Sequence, residues 1–235
     1  MAIQQNNTAL LLFSRRSEEE SLAKNFLPFG SAAKNKALTQ KIIDRSVVLA
    51  KNSGLPFFVW DEKLQLGDCF GERLANAIAS VFEKGFEKLI VIGNDCLQLT
   101  ALNIQQAATQ LENFDQVIAP TKKGGVSLMG FRRSNFNQKD FENIRWQTTQ
   151  VYNDMLSLAN ATNTSIFHFP FLNDVNNNEE LQHELRKLSV LDSCKIFIQS
   201  ILASFYKRAA FCNLNFFCNN CLNASGLRAP PASFQ

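Results

Sequence analysis

The chain has 235 residues, of which 46% are hydrophobic and 19% charged, and its formal net charge is +3. This composition excludes a disordered, collagen-like or disulfide-scaffold protein. No apolar run approaches the ~20 residues needed to span a bilayer, and the N-terminal apolar run is too short for a signal peptide. Lysine and arginine are interleaved with acidic residues, so no nucleic-acid partner is expected. We therefore expect a cytoplasmic protein with mostly reduced thiols and no membrane span.

In the first half of the chain, short apolar runs alternate with helical patterns. Continuous apolar runs predict buried strands over Thr8–Ser14 and Lys88–Gly93, and Leu55–Trp60 is predicted as a further strand. Apolar residues at helical spacing predict helices over Ala32–Ser53 and Gly71–Lys84.

In the second half the same alternation continues less regularly. Thr100 is the predicted N-cap of a helix that runs to about Leu111. The remaining predicted elements are strands over Asp115–Pro120, Val126–Phe131 and Ser165–Pro170, and helices over Thr148–Asn160 and Glu179–Leu188. Strands that alternate with helices predict an α/β protein with a mainly parallel sheet. Such sheets bind ligands at the carboxyl ends of their strands, so the loops there are the candidate site.

A change in composition near Asp192 predicts two parts, a domain over residues 1–192 and a C-terminal appendage over residues 193–235. The appendage begins with a predicted helix over Cys194–Ala210 and ends in a segment rich in Asn, Cys and Phe. Cys212, Cys218 and Cys221 contain one Cys-x-x-Cys pair. Because a second such pair is absent from the sequence, reduced thiols are favoured over a structural metal.

Three loops contain residues that could carry chemistry. Asp95 directly follows a buried strand, where a carboxylate could hold Mg²⁺ or Mn²⁺, or could simply cap a turn. Arg73 lies in a Gly-rich helix start that could bind an anion, or that is an ordinary capped helix start. Thr121–Gly125 could meet a phosphate through two lysines, but paired glycines between two strands favour a hairpin turn.

Five motifs then follow one another in a specific order. They are Leu11–Arg15, Gly71–Ala77, Val91–Cys96, Ala119–Gly130 and Phe141–Thr148. In this order they resemble a bacterial family known as domain of unknown function 2064, also called the radical-SAM/selenodomain-associated transferase family. That family is similar to nucleotide-diphospho-sugar transferases with the glycosyltransferase-A fold. The resemblance covers roughly residues 8–188.

The resemblance implies a three-layer α/β/α Rossmann-like domain that binds a nucleotide sugar or a nucleotide. Asp95 would match the acidic residue that binds a divalent metal, Mg²⁺ or Mn²⁺. The residues that would match the nucleotide- and substrate-binding positions are Arg15, Asp68, Glu72, Arg73, Gly124, Gly125, Trp146 and Thr148.

The chain also departs from the family pattern. The basic first loop of the family is replaced by a run of three glutamates, Glu18–Glu20, which opposes phosphate binding unless a metal or Lys24 compensates. The family's Asp-Gly-Gly-Tyr is replaced by Lys123–Val126, and its Asp-Val-Asp by Asp174–Asn176. These losses are typical of a chain that kept its fold while its catalytic site relaxed.

Two hypotheses from different classes follow. The first is a metal-dependent glycosyltransferase that uses a nucleotide-sugar donor, with nucleotidyl transfer as a close variant. The second is a non-catalytic relative that binds a ligand or a partner on the same scaffold. The glutamate run favours the second, whereas the retained Asp95 and Gly71–Leu74 favour the first.

Overall fold

The structure is a computed structural model that describes residues 7–27 and 31–204. The strands are β1 (Thr8–Phe13), β2 (Phe57–Trp60), β3 (Lys88–Ile92), β4 (Gln116–Pro120), β5 (Val126–Arg132) and β6 (Ile166–His168). The helices are α1 (Ser17–Ala23), α2 (Ala32–Asn52), α3 (Phe70–Phe82), α4 (Ala101–Gln110), α5 (Gln138–Glu142), α6 (Val151–Ala161) and α7 (Asn178–Lys187), and residues 193–204 are also helical. Every strand predicted from the sequence is present.

The six strands form one mostly parallel sheet in the order β2-β1-β3-β5-β4-β6. Strand β1 pairs in parallel with β2 and β3, and β4 pairs in parallel with β6. Strand β5 runs antiparallel to both of its neighbours. The mainly parallel sheet predicted from the sequence is therefore confirmed, with β3 in its centre.

Helices cover both faces of this sheet. Alternate residues of β1 point to opposite faces, as the period of a strand requires. Leu11 packs on one face in a core with α3, α5 and α6, whereas Leu10 and Leu12 pack on the other face with α2 and α4. Because both faces are buried, β1 is a continuous apolar run rather than an alternating one.

A third apolar cluster joins helices outside the sheet. Leu38 and Ile42 of α2, Leu181 and Leu185 of α7, and Ile198 of the 193–204 helix are all buried in it. The start of the predicted appendage thus packs against residues from the predicted domain. The boundary near Asp192 stays a prediction, and Cys212, Cys218 and Cys221 lie outside the described residues. In the described ranges, no helix is both long and apolar enough to cross a membrane.

One segment differs from its predicted conformation. The glutamate run was expected to be part of a loop over the nucleotide, but Glu18, Glu19 and Glu20 lie in helix α1. Acidic residues are favourable in the first turn of a helix because they interact with the positive end of its dipole. The run therefore stabilises a helix start.

Candidate functional site

The candidate site lies where the loops after β1, β3 and β4 meet at the carboxyl edge of the sheet. The ring of Phe13, the last residue of β1, lies 5.7 Å from that of Phe70, the first residue of α3. The Val175 N–H donates to the Asp95 carbonyl at 2.8 Å. The Lys122 N–H donates to the Leu172 carbonyl at 3.1 Å. The start of α3, Asp95 and the β4–β5 turn are therefore at one edge, as the topology predicts.

Asp95 is part of a four-residue ionic cluster that we call the Lys24 centre (Arg15, Glu20, Lys24 and Asp95). The Lys24 ammonium donates to Asp95 Oδ2 at 3.4 Å and lies 3.1 Å from Glu20 Oε1. Arg15 Nη1 lies 3.4 Å from Glu20 Oε2. The Lys24 side chain is 13% exposed and that of Glu20 is 5% exposed. Two cations and two carboxylates thus share one site, in which Lys24 and Glu20 are largely buried while Arg15 and Asp95 are 40% and 35% exposed.

The carboxylates of this centre control the protonation of Lys24. Burial by itself lowers the pKa of the Lys24 ammonium, but the negative charges of Asp95 and Glu20 outweigh it, so the pKa is raised above its ordinary value of 10.5. Lys24 is therefore a fixed positive charge at neutral pH.

Asn35 of α2 holds the chain around Lys24. Its side-chain amide nitrogen donates to the carbonyls of Ser21 at 2.8 Å and Lys24 at 3.1 Å. Its amide oxygen accepts from the Phe26 N–H at 3.0 Å. Because Asn35 is itself buried, these three bonds fix the segment from which the ammonium extends.

The glutamate run is partly neutralised. Glu20 faces the cations of the Lys24 centre, and Glu18 forms an ion pair with Lys36 at 2.7 Å. The hydrogen bond from Lys36 lowers the pKa of the Glu18 carboxyl to about 2. Two of the three carboxylates that were expected to repel phosphate are therefore neutralised by cations.

A second lysine lies between two carboxylates nearby, and we call this group the Lys123 centre (Lys123, Asp174 and Glu180). The Lys123 ammonium is 2.7 Å from Glu180 Oε2 and 3.8 Å from Asp174 Oδ2. The Lys123 side chain is 44% exposed. Lys123 stands where the family resemblance places an aspartate, so the substitution has turned a carboxylate position into an ion pair.

The start of α3 is a capped helix start, and it also carries a cationic side chain that could bind an anion. The Glu72 N–H donates to the Cys69 sulfur at 3.5 Å, and the Glu72 carboxylate accepts from the Asp68 N–H at 2.8 Å. Glu72 and Asp68 are thus occupied in capping α3. Arg73 is different, because its Nε is buried without a hydrogen-bond partner and the guanidinium has no ion-pair partner in the described ranges.

Trp146 and Thr148 have structural contacts. The Trp146 indole donates to the Phe141 carbonyl at 2.9 Å and packs on the ring of Phe70. A Cβ on Gly71 would lie 2.7 Å from the indole, so the glycine makes room for it. The Thr148 hydroxyl donates to the Arg145 carbonyl at 2.6 Å and supports a turn.

Gly124 and Gly125 lie in the turn of an antiparallel hairpin, as the local sequence indicated. Gly124 has φ +82°, and a Cβ there would collide with the Thr149 carbonyl. The Gly124 carbonyl accepts from the Tyr152 N–H at 2.9 Å. The turn is thereby fixed against the segment that follows Trp146.

Two clefts among the described residues differ greatly in size. The larger has a volume of about 380 Å³ and lies between the β4–β5 turn and α7, with Lys122, Lys123, Asp174 and His183 in its wall. The smaller, about 20 Å³, is lined by residues from 116 to 158 and has room for water only. Of the loops expected to bound one pocket, only the β4–β5 turn lines the larger cleft.

The donors around Asp95 do not fit a resident divalent ion. Mg²⁺ requires near-octahedral oxygen coordination, supplied in proteins by carboxylates and waters. The two carboxylates available here, Asp95 and Glu20, already face the Lys24 ammonium. Across residues 7–27 and 31–204, no group of three or more His, Cys, Asp or Glu side chains could hold a metal ion. A metal at Asp95 stays a prediction.

Some residues of the site were not predicted from the sequence. Glu20 was missed, although its spacing of four residues from Lys24 is that of a helical Glu–Lys ion pair. Glu180 was missed because its partner Lys123 is distant in sequence. The pairing depends on the contact between the β4–β5 turn and α7, which sequence spacing does not contain.

Comparison with solved structures defines the class of fold. A crystal structure from Desulfovibrio desulfuricans G20, described as a "putative nucleotide-diphospho-sugar transferase", superposes with a TM-score of 0.75 at 19% identity. The match covers 86% of this chain and 97% of that chain. The chain therefore has the fold of a nucleotide-diphospho-sugar transferase.

A match to a sequence family is consistent with this fold. Residues 44–148 match the model of the family described as "Uncharacterized protein conserved in bacteria (DUF2064)". The resemblance inferred from the five motifs is thus confirmed. The comparison with curated proteins found no match.

More distant structures have TM-scores below one half. The Rv0371c homolog from Mycobacterium sp. strain JC1 has a TM-score of 0.44 at 11% identity, covering 85% of this chain and 99% of that chain. The manganese complex of Rv0371c from Mycobacterium tuberculosis H37Rv has a TM-score of 0.42 at 12% identity, covering 77% and 98%. The manganese ion is a property of that protein.

Proposed function

We propose that this chain binds a nucleotide sugar or a nucleotide at the carboxyl edge of its sheet and transfers the glycosyl group of a nucleotide-sugar donor. The observation that carries the proposal is the unpaired guanidinium of Arg73. It lies in the first turn of a thirteen-residue helix, whose dipole also attracts anions. Because no carboxylate of the described residues neutralises this guanidinium, its charge can serve a phosphate, with which arginine forms strong charge-assisted hydrogen bonds.

The positions of the other groups support a phosphate ligand at this edge. Asp95 follows the central strand, and its charge is already balanced by Lys24. The start of α3 contacts the end of β1 through Phe13 and Phe70. The similar structure from Desulfovibrio desulfuricans carries the description of a transferase of nucleotide-diphospho-sugars, which supports the same ligand class for this chain.

The test is calorimetric titration with nucleoside diphosphates and their glucose esters. We expect at least one nucleotide to bind, and Arg73→Gln to weaken it at least tenfold, which corresponds to about 1.4 kcal/mol. Arg133→Gln is the matched control, because Arg133 is exposed and follows β5 at the opposite edge of the sheet. Equal affinity of wild type and Arg73→Gln, or no binding of any nucleotide, would contradict the proposal.

The second candidate function is ligand binding without catalysis. It is favoured by the lysine that neutralises Asp95, the acidic side chain that the family resemblance connects with metal binding. Release of nucleoside diphosphate from a bound nucleotide sugar distinguishes the two. Turnover above the protein-free rate supports transfer, whereas tight binding without turnover supports the non-catalytic function.

A further inference from the structure

We propose that the Lys24 ammonium takes the place of a divalent cation at Asp95, which makes this site independent of metal ions. The inference rests on the proposed function only for the identity of the ligand. The position of the lysine rests on the geometry of the Lys24 centre.

One oxygen of each of the two carboxylates already contacts the Lys24 ammonium. Asp95 Oδ2 and Glu20 Oε1 face one ammonium at 3.4 and 3.1 Å. A divalent ion that used both of these oxygens would compete with the ammonium, and the described part of the chain has no group of three or more His, Cys, Asp or Glu side chains that could hold it elsewhere. A metal ion could therefore occupy the position between Asp95 and Glu20 only after Lys24 had left.

The second argument is charge balance. Arg15 and Lys24 supply two positive charges, and Glu20 and Asp95 supply two negative charges. A divalent ion added to this neutral group would lie close to two cations in a partly buried place, where repulsion is poorly screened. Lysine is itself a common phosphate-binding point charge, so the ammonium can supply the positive charge a phosphate requires.

The third argument is the support of the lysine. Asn35 accepts from and donates to the backbone on both sides of residue 24, and the Lys24 N–H donates to the Glu20 carbonyl at 2.8 Å. The residue from which the ammonium extends is thus held at the end of α1. These bonds fix the backbone of residue 24, and the ammonium itself is positioned by its contacts with Glu20 and Asp95.

The arrangement occurs twice at this edge of the sheet. Lys123 also lies between two carboxylates, and the Val175 N–H joins the segment after Asp174 to the Asp95 carbonyl. Two acidic side chains at neighbouring positions therefore each have a lysine as their counter-ion.

Manganese binding tests the proposal without any nucleotide. Electron paramagnetic resonance of free Mn²⁺ is recorded during titration of wild type, Lys24→Met, Asp95→Asn and the double variant. We expect wild type and Asp95→Asn to bind Mn²⁺ equally weakly, and Lys24→Met to bind at least tenfold more tightly. The double variant should lose that gain. Tight binding by wild type that Asp95→Asn abolishes would overturn the proposal, and so would equal binding by wild type and a folded Lys24→Met.

A second measurement covers the case in which Lys24→Met does not fold. The affinity of wild type for the best nucleoside diphosphate is compared in chelator and in saturating Mn²⁺. Affinities within twofold support a metal-independent site, whereas a tenfold gain with Mn²⁺ overturns it. If no nucleotide binds at all, the proposed function fails, and the comparison of Mn²⁺ binding by wild type and Asp95→Asn still decides the role of Lys24.

Discussion

The Lys24 centre and the Lys123 centre have the same composition at their core but different surroundings. In each, one ammonium lies between two carboxylates. The Lys24 side chain is 13% exposed, whereas that of Lys123 is 44% exposed. Water therefore screens the Lys123 ammonium more than the pair of Lys24 and Glu20, although Asp95 of the first centre is itself 35% exposed. Ion pairs of the same kind at one edge of a sheet can therefore contribute strongly to stability where the lysine is largely buried and weakly where it is exposed.

The two centres also differ in what holds their lysines. Lys24 is at the end of a helix and its backbone is bound by Asn35. Lys123 is in the β4–β5 turn, whose backbone is fixed by the close packing of Gly124 against Thr149 rather than by a buried polar side chain. We therefore expect the first centre to be sensitive to loss of charge and the second to be sensitive to added volume.

The largest expected effect is loss of the Lys24 ammonium. Lys24→Met leaves the carboxylate of Glu20, which is 5% exposed, with Arg15 as its remaining cation. Breaking a buried pair costs several kcal/mol, and we expect about 3 kcal/mol of unfolding free energy. Lys123→Met, the matched change, should cost less than about 1 kcal/mol. Urea denaturation measures the unfolding free energy of both variants. Equal losses of stability would contradict the difference between the two centres.

The next effect concerns the glycine pair of the β4–β5 turn. Gly124→Ala should destabilise by about 2 kcal/mol, because φ +82° is unfavourable for alanine and the methyl group would displace the Thr149 carbonyl. Gly125→Ala is the control, since its Cβ would meet only the Thr121 hydroxyl at 3.2 Å, and it should cost less than about 1 kcal/mol. A Gly124→Ala protein as stable as wild type would show that the turn is not fixed as described.

The smallest effect is on the pH dependence of stability. The raised pKa of Lys24 contributes stability that is complete below pH 10.5 and is lost as pH rises through the higher folded value. Burial alone raises the pKa of Glu180, but the hydrogen bond and charge of Lys123 together with the hydrogen bonds from Asn176 and Asn177 outweigh it, so this pKa is below 4.5. Its contribution is present above pH 4.5 and is lost as pH falls through the folded value.

Each variant should therefore change the pH dependence of stability in a different pH range. Lys24→Met should reduce the loss of stability at alkaline pH, and Lys123→Met should reduce the loss at acid pH. Thermal unfolding across the pH range measures both limbs. A Lys24→Met profile parallel to that of wild type at alkaline pH would contradict the assigned ion pair.

The sheet could be predicted from the sequence because its inner strands are buried on both faces. Runs such as Leu10–Phe13 and Leu89–Ile92 have no polar residue, which distinguishes them from the amphipathic helices between them. Helix α1 could not be predicted in this way, because it is short, polar and carries three successive glutamates. Its conformation depends on packing against α2, with Asn35 and Lys36 as partners.

The candidate site could be predicted only in part, because its ion pairs join residues from different helices, strands and turns. The position of Asp95 follows from the end of one buried strand, and that prediction is confirmed by its place after β3. The partners of Asp95 and Lys123 come from other elements, and no spacing in the sequence shows which lysine reaches which carboxylate. The nucleotide-binding roles of Arg15, Arg73 and the other matched residues stay predictions.

The central claim is that a lysine rather than a metal ion neutralises Asp95. The most direct measurement is the anomalous difference density of a crystal soaked in Mn²⁺ together with a nucleoside diphosphate. The account predicts an ordered Lys24 side chain between Glu20 and Asp95 and no anomalous peak at the Asp95 carboxylate. A Mn²⁺ peak on the Asp95 oxygens, with the Lys24 side chain displaced from them, would contradict it.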